Sequence, residues 1–129
     1  ALPALKQAFA DTSLTRVCRG AAAIAMMRLG DRSGEELLWE VVRKGTAAEM
    51  NGLVSRMGVT EDAAFLPMAA EALDRADAWQ GVTHAVAACG GAQAIPALTK
   101  ALNHPDKGVR YGAKVMLRKL GAPNAPPEE

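Results

Sequence analysis

Aromatic side chains are scarce in this chain: two tryptophans, two phenylalanines and one tyrosine make up 4% of 129 residues. Sheet proteins lean on aromatic and β-branched residues, so the scarcity argues against strands. Cysteine is as rare. Cys18 and Cys89 sit far apart inside apolar helical patterns with no metal-type spacing, and both read as small buried hydrophobes. No run is long and apolar enough to span a bilayer. The uncharged stretch 78–99 carries Gln80, Thr83, His84 and Gln93, and Gly90-Gly91 would break a helix there. Lys6 and Gln7 interrupt any apolar core in the first residues, so these are not expected to be a signal peptide, and a cytoplasmic setting is expected. The formal net charge of +1 excludes a global attraction to nucleic acid or membrane.

What the chain does have is small apolar residues. Hydrophobic side chains reach 50%, mostly alanine, leucine, valine and methionine, and alanine is the best helix former. An all-α fold follows. Two stretches at opposite ends repeat one phrase: Ala1-Leu2-Pro3-Ala4-Leu5 closing at Arg28-Leu29-Gly30, and Ala94-Ile95-Pro96-Ala97-Leu98 closing at Lys119-Leu120-Gly121. Self-similarity over about thirty residues is the mark of stacked repeats. Gly30, Gly58, Gly90 and Gly121 each follow an apolar helical pattern and set the period. A glycine just past a helix end takes the left-handed conformation at no steric cost. Repeats are thus expected at about 1–30, 31–58, 59–90 and 91–121, each a pair of helices, with a loose proline-rich tail over 122–129. The chain opens without methionine inside a repeat-like phrase, so a piece of a longer protein is expected.

Capping chemistry refines the pairs. Leu2–Ala10 is followed by a helix from about Thr15 to Leu29, capped by Thr15 or Ser13, with Val17, Ala21, Ile24, Ala25 and Leu29 as its buried stripe. Ser33 with Glu36, and Thr46 with Glu49, are capping boxes opening Ser33–Lys44 and Thr46–Met57, and Leu37, Leu38, Val41 and Val42 face the core. Thr60–Arg75 contains Pro67, so a kink or a short preliminary turn near Phe65 is expected, and Asp77 caps Asp77–Cys89. Asp106 caps Lys107–Leu120, which follows Gln93–Leu102.

The last repeat carries Ile95, Pro96, Leu98, Leu102, Pro105, Asp106, Val109, Arg110, Ala113, Leu117, Leu120 and Gly121, and the first carries Leu2, Pro3, Leu5, Asp11, Val17, Arg19, Ala22, Leu29 and Gly30. This pattern resembles HEAT repeats, most closely the short bacterial variety also known from phycobilisome-lyase-like proteins. The third repeat fits in part through Leu66, Pro67, Leu73, Asp77 and Val82, with Trp79 where the arginine would stand; the second has neither the proline nor the arginine. The resemblance implies an α-solenoid of about four antiparallel helix pairs. It also implies a hydrogen-bonded ladder between repeats, made by the turn aspartate and second-helix arginine, here Asp106 with Arg110. Function does not follow from this scaffold, which serves many tasks.

Catalysis would need a constellation, and none is found. His84 lies in an apolar helix and His104 in a turn, where it reads as solvated; neither is followed by the glutamate that iron-binding helical-repeat hydroxylases use. Glu35, Glu36 and Glu40 read as a solvated helix face, and no glycine-rich phosphate loop is present. No cofactor or metal is expected, and no catalytic residue is assigned. The preferred reading is a non-catalytic protein–protein interaction module, with a protein or peptide, acidic or mixed, on the concave face lined by the second helices. Counting back from the closing glycines selects Arg16, Arg19, Asn51, Ser55, Gln80, Thr83, Lys107, Tyr111, Lys114 and Arg118 for that face, and Trp79 lies near it. Trp79 is its one large aromatic anchor, and Trp39 reads as core. The alternatives are nucleic acid, for which Lys107, Arg110, Tyr111, Lys114 and Arg118 make a basic stripe, and a phycobilin-lyase-like role implied only by the resemblance. The middle of the chain, 31–77, carries net −5 and would repel a long duplex.

Overall fold

The computed structural model describes residues 1–126, and these are helical with no strand among them. The α-helices are α1 (Leu2–Ala10), α2 (Arg16–Arg28), α3 (Glu35–Lys44), α4 (Ala47–Thr60), α5 (Leu66–Leu73), α6 (Gln80–Gly90), α7 (Ile95–Ala101) and α8 (Lys107–Lys119). Short 3-10 turns at Ala63–Phe65 and Gly91–Ala94 lead into α5 and α7. Pro67 and Pro96 both fall at the first positions of their helices, where a missing N–H costs nothing. The preliminary turn expected before Pro67 is therefore present.

Helices pack as consecutive pairs, α1 with α2, α3 with α4, α5 with α6 and α7 with α8. Across pairs, α2 meets α4, α4 meets α6 and α6 meets α8, while α3 meets α5 and α5 meets α7. No extensive contact joins α1 or α2 to α7 or α8. The core is one continuous cluster running from Ala23 to Ala122, and it includes Leu38, Met50, Leu53, Met57, Phe65, Met68, Leu98 and Leu117.

Several local expectations hold. Thr15 accepts from the Cys18 N–H, Asp106 accepts from the Val109 N–H, and the Thr46–Glu49 capping box is complete in both directions. Gly30 (φ 92°) and Gly121 (φ 68°) take the left-handed conformation at the ends of α2 and α8.

Gly58 does not end its helix. α4 continues to Thr60, and the left-handed residue is Glu61 (φ 54°). Gly58 is buried instead where α4 crosses α6: a β-carbon there would lie 2.8 Å from the Ala85 Cα and 2.9 Å from its Cβ. Its missing side chain sets the helix separation, not a turn. Gly90 likewise stays helical, and the chain turns at Gly91. Ser33 does not cap α3; Asp31 accepts from the Ser33 N–H at 2.9 Å and from its hydroxyl, and α3 starts from Gly34, which is pressed against Ala23. Asp77 does not cap α6 either, because its carboxylate is taken by Arg75 in a bidentate pair (2.9 and 2.7 Å). In the expected stripe of α2, Ile24 is buried, Val17, Ala21 and Ala25 are half-buried, and Leu29 is exposed; Gly20, Ala22, Ala23 and Met26 complete the buried set. Cys89 is buried as expected, and Cys18 is exposed on α2. Of the tail expected to be loose, 127–129 lies outside the described residues. Within 122–126, Ala122 is buried and the Asn124 side chain donates to the Thr99 hydroxyl at 2.8 Å.

Ion pairs link successive pairs. Arg16 of α2 donates to both oxygens of Glu49 of α4 (3.1 and 2.7 Å), and Arg43 of α3 to both oxygens of Glu71 of α5 (2.6 and 3.2 Å). Glu49 also accepts from the Thr46 N–H at 2.9 Å. Together these donors hold its carboxyl down at about 2, against 4.5 for an ordinary glutamate. A depressed folded-state pKa gives stability that is complete above the unfolded value and lost as pH falls toward the folded one. Urea midpoints of the wild type are thus expected to drop between the two values. Glu49→Gln should start lower at neutral pH, fall less on acidification and meet the wild type near pH 2. Parallel curves for the two proteins would show that Glu49 carries no such linkage.

Candidate protein-interaction surface

The second helices α2, α4, α6 and α8 form the row on which a partner-binding face was expected. Asn51 and Thr83 do not belong to any exposed face: they are 2% and 0% exposed. Asn51 reaches from α4 into the turn before α6, where its amide donates to the Ala47 and Asp77 carbonyls (2.7 and 3.2 Å) and its oxygen accepts from the Trp79 N–H (2.8 Å). It thereby ties down the residue at which α6 begins, whose first turn has no side-chain cap. Thr83 donates to the Gln80 carbonyl at 2.6 Å and lies against Gly112 of α8. Arg19 is half-buried, donating to the Phe9 carbonyl at 2.7 Å with its guanidinium 5.4 Å from the Phe9 ring centre. Arg16 is tied to Glu49.

Exposed positions remain at Ser55, Trp79, Gln80, Lys107 and Tyr111, with Lys114 and Arg118 half-buried. Trp79 and Tyr111 are each 58% exposed. Trp79 therefore does not fill space in place of an arginine; its backbone is fixed by Asn51 while its ring faces solvent. Arg118 donates to the Pro126 carbonyl at 3.1 Å. Gln80 lies between α6 and α8, beside Gly108 and Gly112.

The ladder expected between Asp106 and Arg110 is absent. Arg110 donates to the His104 and Pro105 carbonyls (2.7 and 3.0 Å) within its own turn, and Asp106 is occupied as a helix cap. The bridges between neighbouring turns run through other residues. Arg75 donates to the Val42 carbonyl at 3.1 Å, and His104 meets the Arg75 carbonyl at 2.7 Å. The Asp106 N–H donates to Nδ1 of His104 at 3.0 Å, which leaves Nε2 as the protonated nitrogen donating to Arg75. His104 is thus a buried link and not a solvated turn residue, whereas His84 is exposed on α6.

Sequence reasoning missed the surface that does open on this side. A groove of about 320 Å³ between α4 and α6 is lined by Ser55, Gly58, Val59, Gly81, His84, Ala85 and Ala88, with Val59 85% exposed at its rim. The signal was distorted by Gly58: with the helix expected to stop at Met57, Gly58 and Val59 fall outside it, whereas α4 runs on to Thr60 and carries both into the groove. A larger cleft of about 580 Å³ lies on the opposite helices, around Trp39, Glu40 and Arg43. Trp39 is half-buried there, with the Arg43 guanidinium 4.4 Å from its ring centre, a cation–π contact. Arg43 is paired there with Glu71. Among the described residues no group of three His, Cys, Asp or Glu could hold a metal ion, and no helix is long and apolar enough to cross a membrane. No family model, curated protein or solved structure matches this chain.

Proposed function

We propose that the chain is a HEAT-like α-solenoid segment whose task is to bind another protein or peptide on its second-helix side. Extensive contacts join each pair to its neighbours in the chain and not to pairs further along, which is the pattern of a stack. The observation that carries a binding role is Trp79. A tryptophan is costly to leave in water, and this one is 58% exposed while its backbone is locked by a buried asparagine of the neighbouring helix. A large aromatic held rigidly at the surface is the common form of an interface anchor.

The test is selection of peptides from a random display library on the immobilised chain, followed by binding to Trp79→Ala. Selected peptides are expected to bind the variant at least about tenfold more weakly, as for an interface hot spot. Peptides that bind both forms equally, or no enrichment at all, would remove Trp79 as the anchor.

A further inference from the structure

The basic row on α8 has a meaning that the internal junctions supply. Count from each helix N-cap, Thr15, Thr46, Trp79 and Asp106. Residues one, five, eight and twelve beyond the cap lie on one side of the helix. In α2 and α4 this side faces the next pair, and in α6 its first residue does, while His84 stays exposed. Arg16 reaches Glu49, Gly20 lies against Leu53 and Ala23 against Gly34. Asn51 bonds the turn before α6, and Gly58 lies against Ala85. Gln80 lies against Gly112. In α8 the same positions are Lys107, Tyr111, Lys114 and Arg118, and no further helix covers them among the described residues.

Arg16, Arg32, Arg43, Arg75, Lys6 and Lys100 all have carboxylate partners. Lys107 and Lys114 have none among the described residues, as is also true of Arg28, Lys44 and Arg56 elsewhere. Lys107 occupies the position of Arg16, which in the first junction takes Glu49 from the first turn of the incoming helix. We infer that the α8 face formed by Lys107, Tyr111 and Lys114 is a docking surface for a partner helix with an acidic first turn, laid alongside α8 as α4 lies alongside α2. This rests on the reading of the chain as an interaction module of stacked pairs. A second copy stacked head to tail is opposed by like charge, since residues 1–30 carry net +3.

The probe is a labelled alanine-rich helical peptide of about twenty residues, long enough to hold helix, with two glutamates in its first turn. A matched peptide carries lysines there instead. Fluorescence anisotropy on the full chain should show the acidic peptide binding the wild type, and binding should weaken with salt. Lys107→Glu with Lys114→Glu should weaken it about tenfold or more and transfer preference to the lysine peptide. Tyr111→Ala should weaken both peptides. Unchanged circular dichroism and thermal midpoint would show the variants folded. Equal binding of the acidic peptide to wild type and double variant, or none to either, would overturn the inference. So would tighter, lysine-dependent binding of a short DNA duplex, or concentration-dependent self-association that the double variant abolishes. If peptides selected through Trp79 still bind while the acidic helix does not, the α8 face alone is refuted and the module reading stands.

Discussion

Asn51→Ala is expected to cost about 2–4 kcal/mol in urea unfolding, far more than a surface substitution. Truncation removes the acceptor of the Trp79 N–H and the donor to the Asp77 carbonyl, both at the join between the second and third pairs. An orphaned buried polar group costs about 1–3 kcal/mol, and two are orphaned together. The side chain is also fully packed, so a cavity opens between α4 and the turn before α6. Asn51→Asp separates the two halves of the argument. A carboxylate still accepts from Trp79, but it sets negative charge against the Ala47 and Asp77 carbonyls that the amide served. It is expected to be no more stable than the alanine variant. A loss below about 0.5 kcal/mol for either would mean that Asn51 behaves as an exposed residue. The same substitutions also probe function, because Asn51 fixes the backbone of Trp79: peptides anchored on that ring should bind the alanine variant more weakly even where it is folded.

How legible was this in the sequence? Helix count and order came from alanine-rich composition and from caps whose chemistry is local. Thr15, Thr46 with Glu49, and Asp106 each act on a backbone N–H within three residues, so one sequence suffices to place them. Tertiary exchanges were not legible. Asp77 looks like a cap, but Arg75 two residues away competes for it, and Asn51 from 28 residues earlier accepts from the Trp79 N–H. Gly58 shows the same limit. A glycine after an apolar run reads as a stop, yet here it lets two helices approach, a fact that belongs to Ala85 as much as to Gly58. The surface row failed for a different reason: the side of α4 that carries Asn51 faces the next pair, so Asn51 is buried in that junction. His104 was misread because nothing local shows the Arg75 carbonyl arriving from the previous pair. Of the basic row on α8, Lys107 and Tyr111 are exposed, whereas Arg110, Lys114 and Arg118 are half-buried and Arg118 bonds the Pro126 carbonyl, a contact that needed coordinates.

The second large effect is expected at Leu98, which is fully buried in α7 within the common core. Leu98→Ala should cost about 2–5 kcal/mol, the transfer term plus the cavity that neighbouring helices cannot close. The proposed solenoid adds a spatial expectation to this number. In a stack held by intrinsic repeat stability and nearest-neighbour interfaces, damage in one pair is felt there first and decays along the array. Leu98 belongs to the last pair, which is coupled to the rest mainly through α6 with α8 and α5 with α7. Native-state hydrogen exchange should therefore show amides of α7 and α8 losing most protection, while those of α2 and α4 keep nearly the wild-type level. A single closed globule would instead lose protection everywhere by the same amount, since its core opens as one unit. Uniform loss across α2 to α8 would refute the stack, and an unfolding cost under about 0.5 kcal/mol would refute the core position itself. The two outcomes are independent, because the size of the effect reports burial and its distribution reports how burial is shared between pairs.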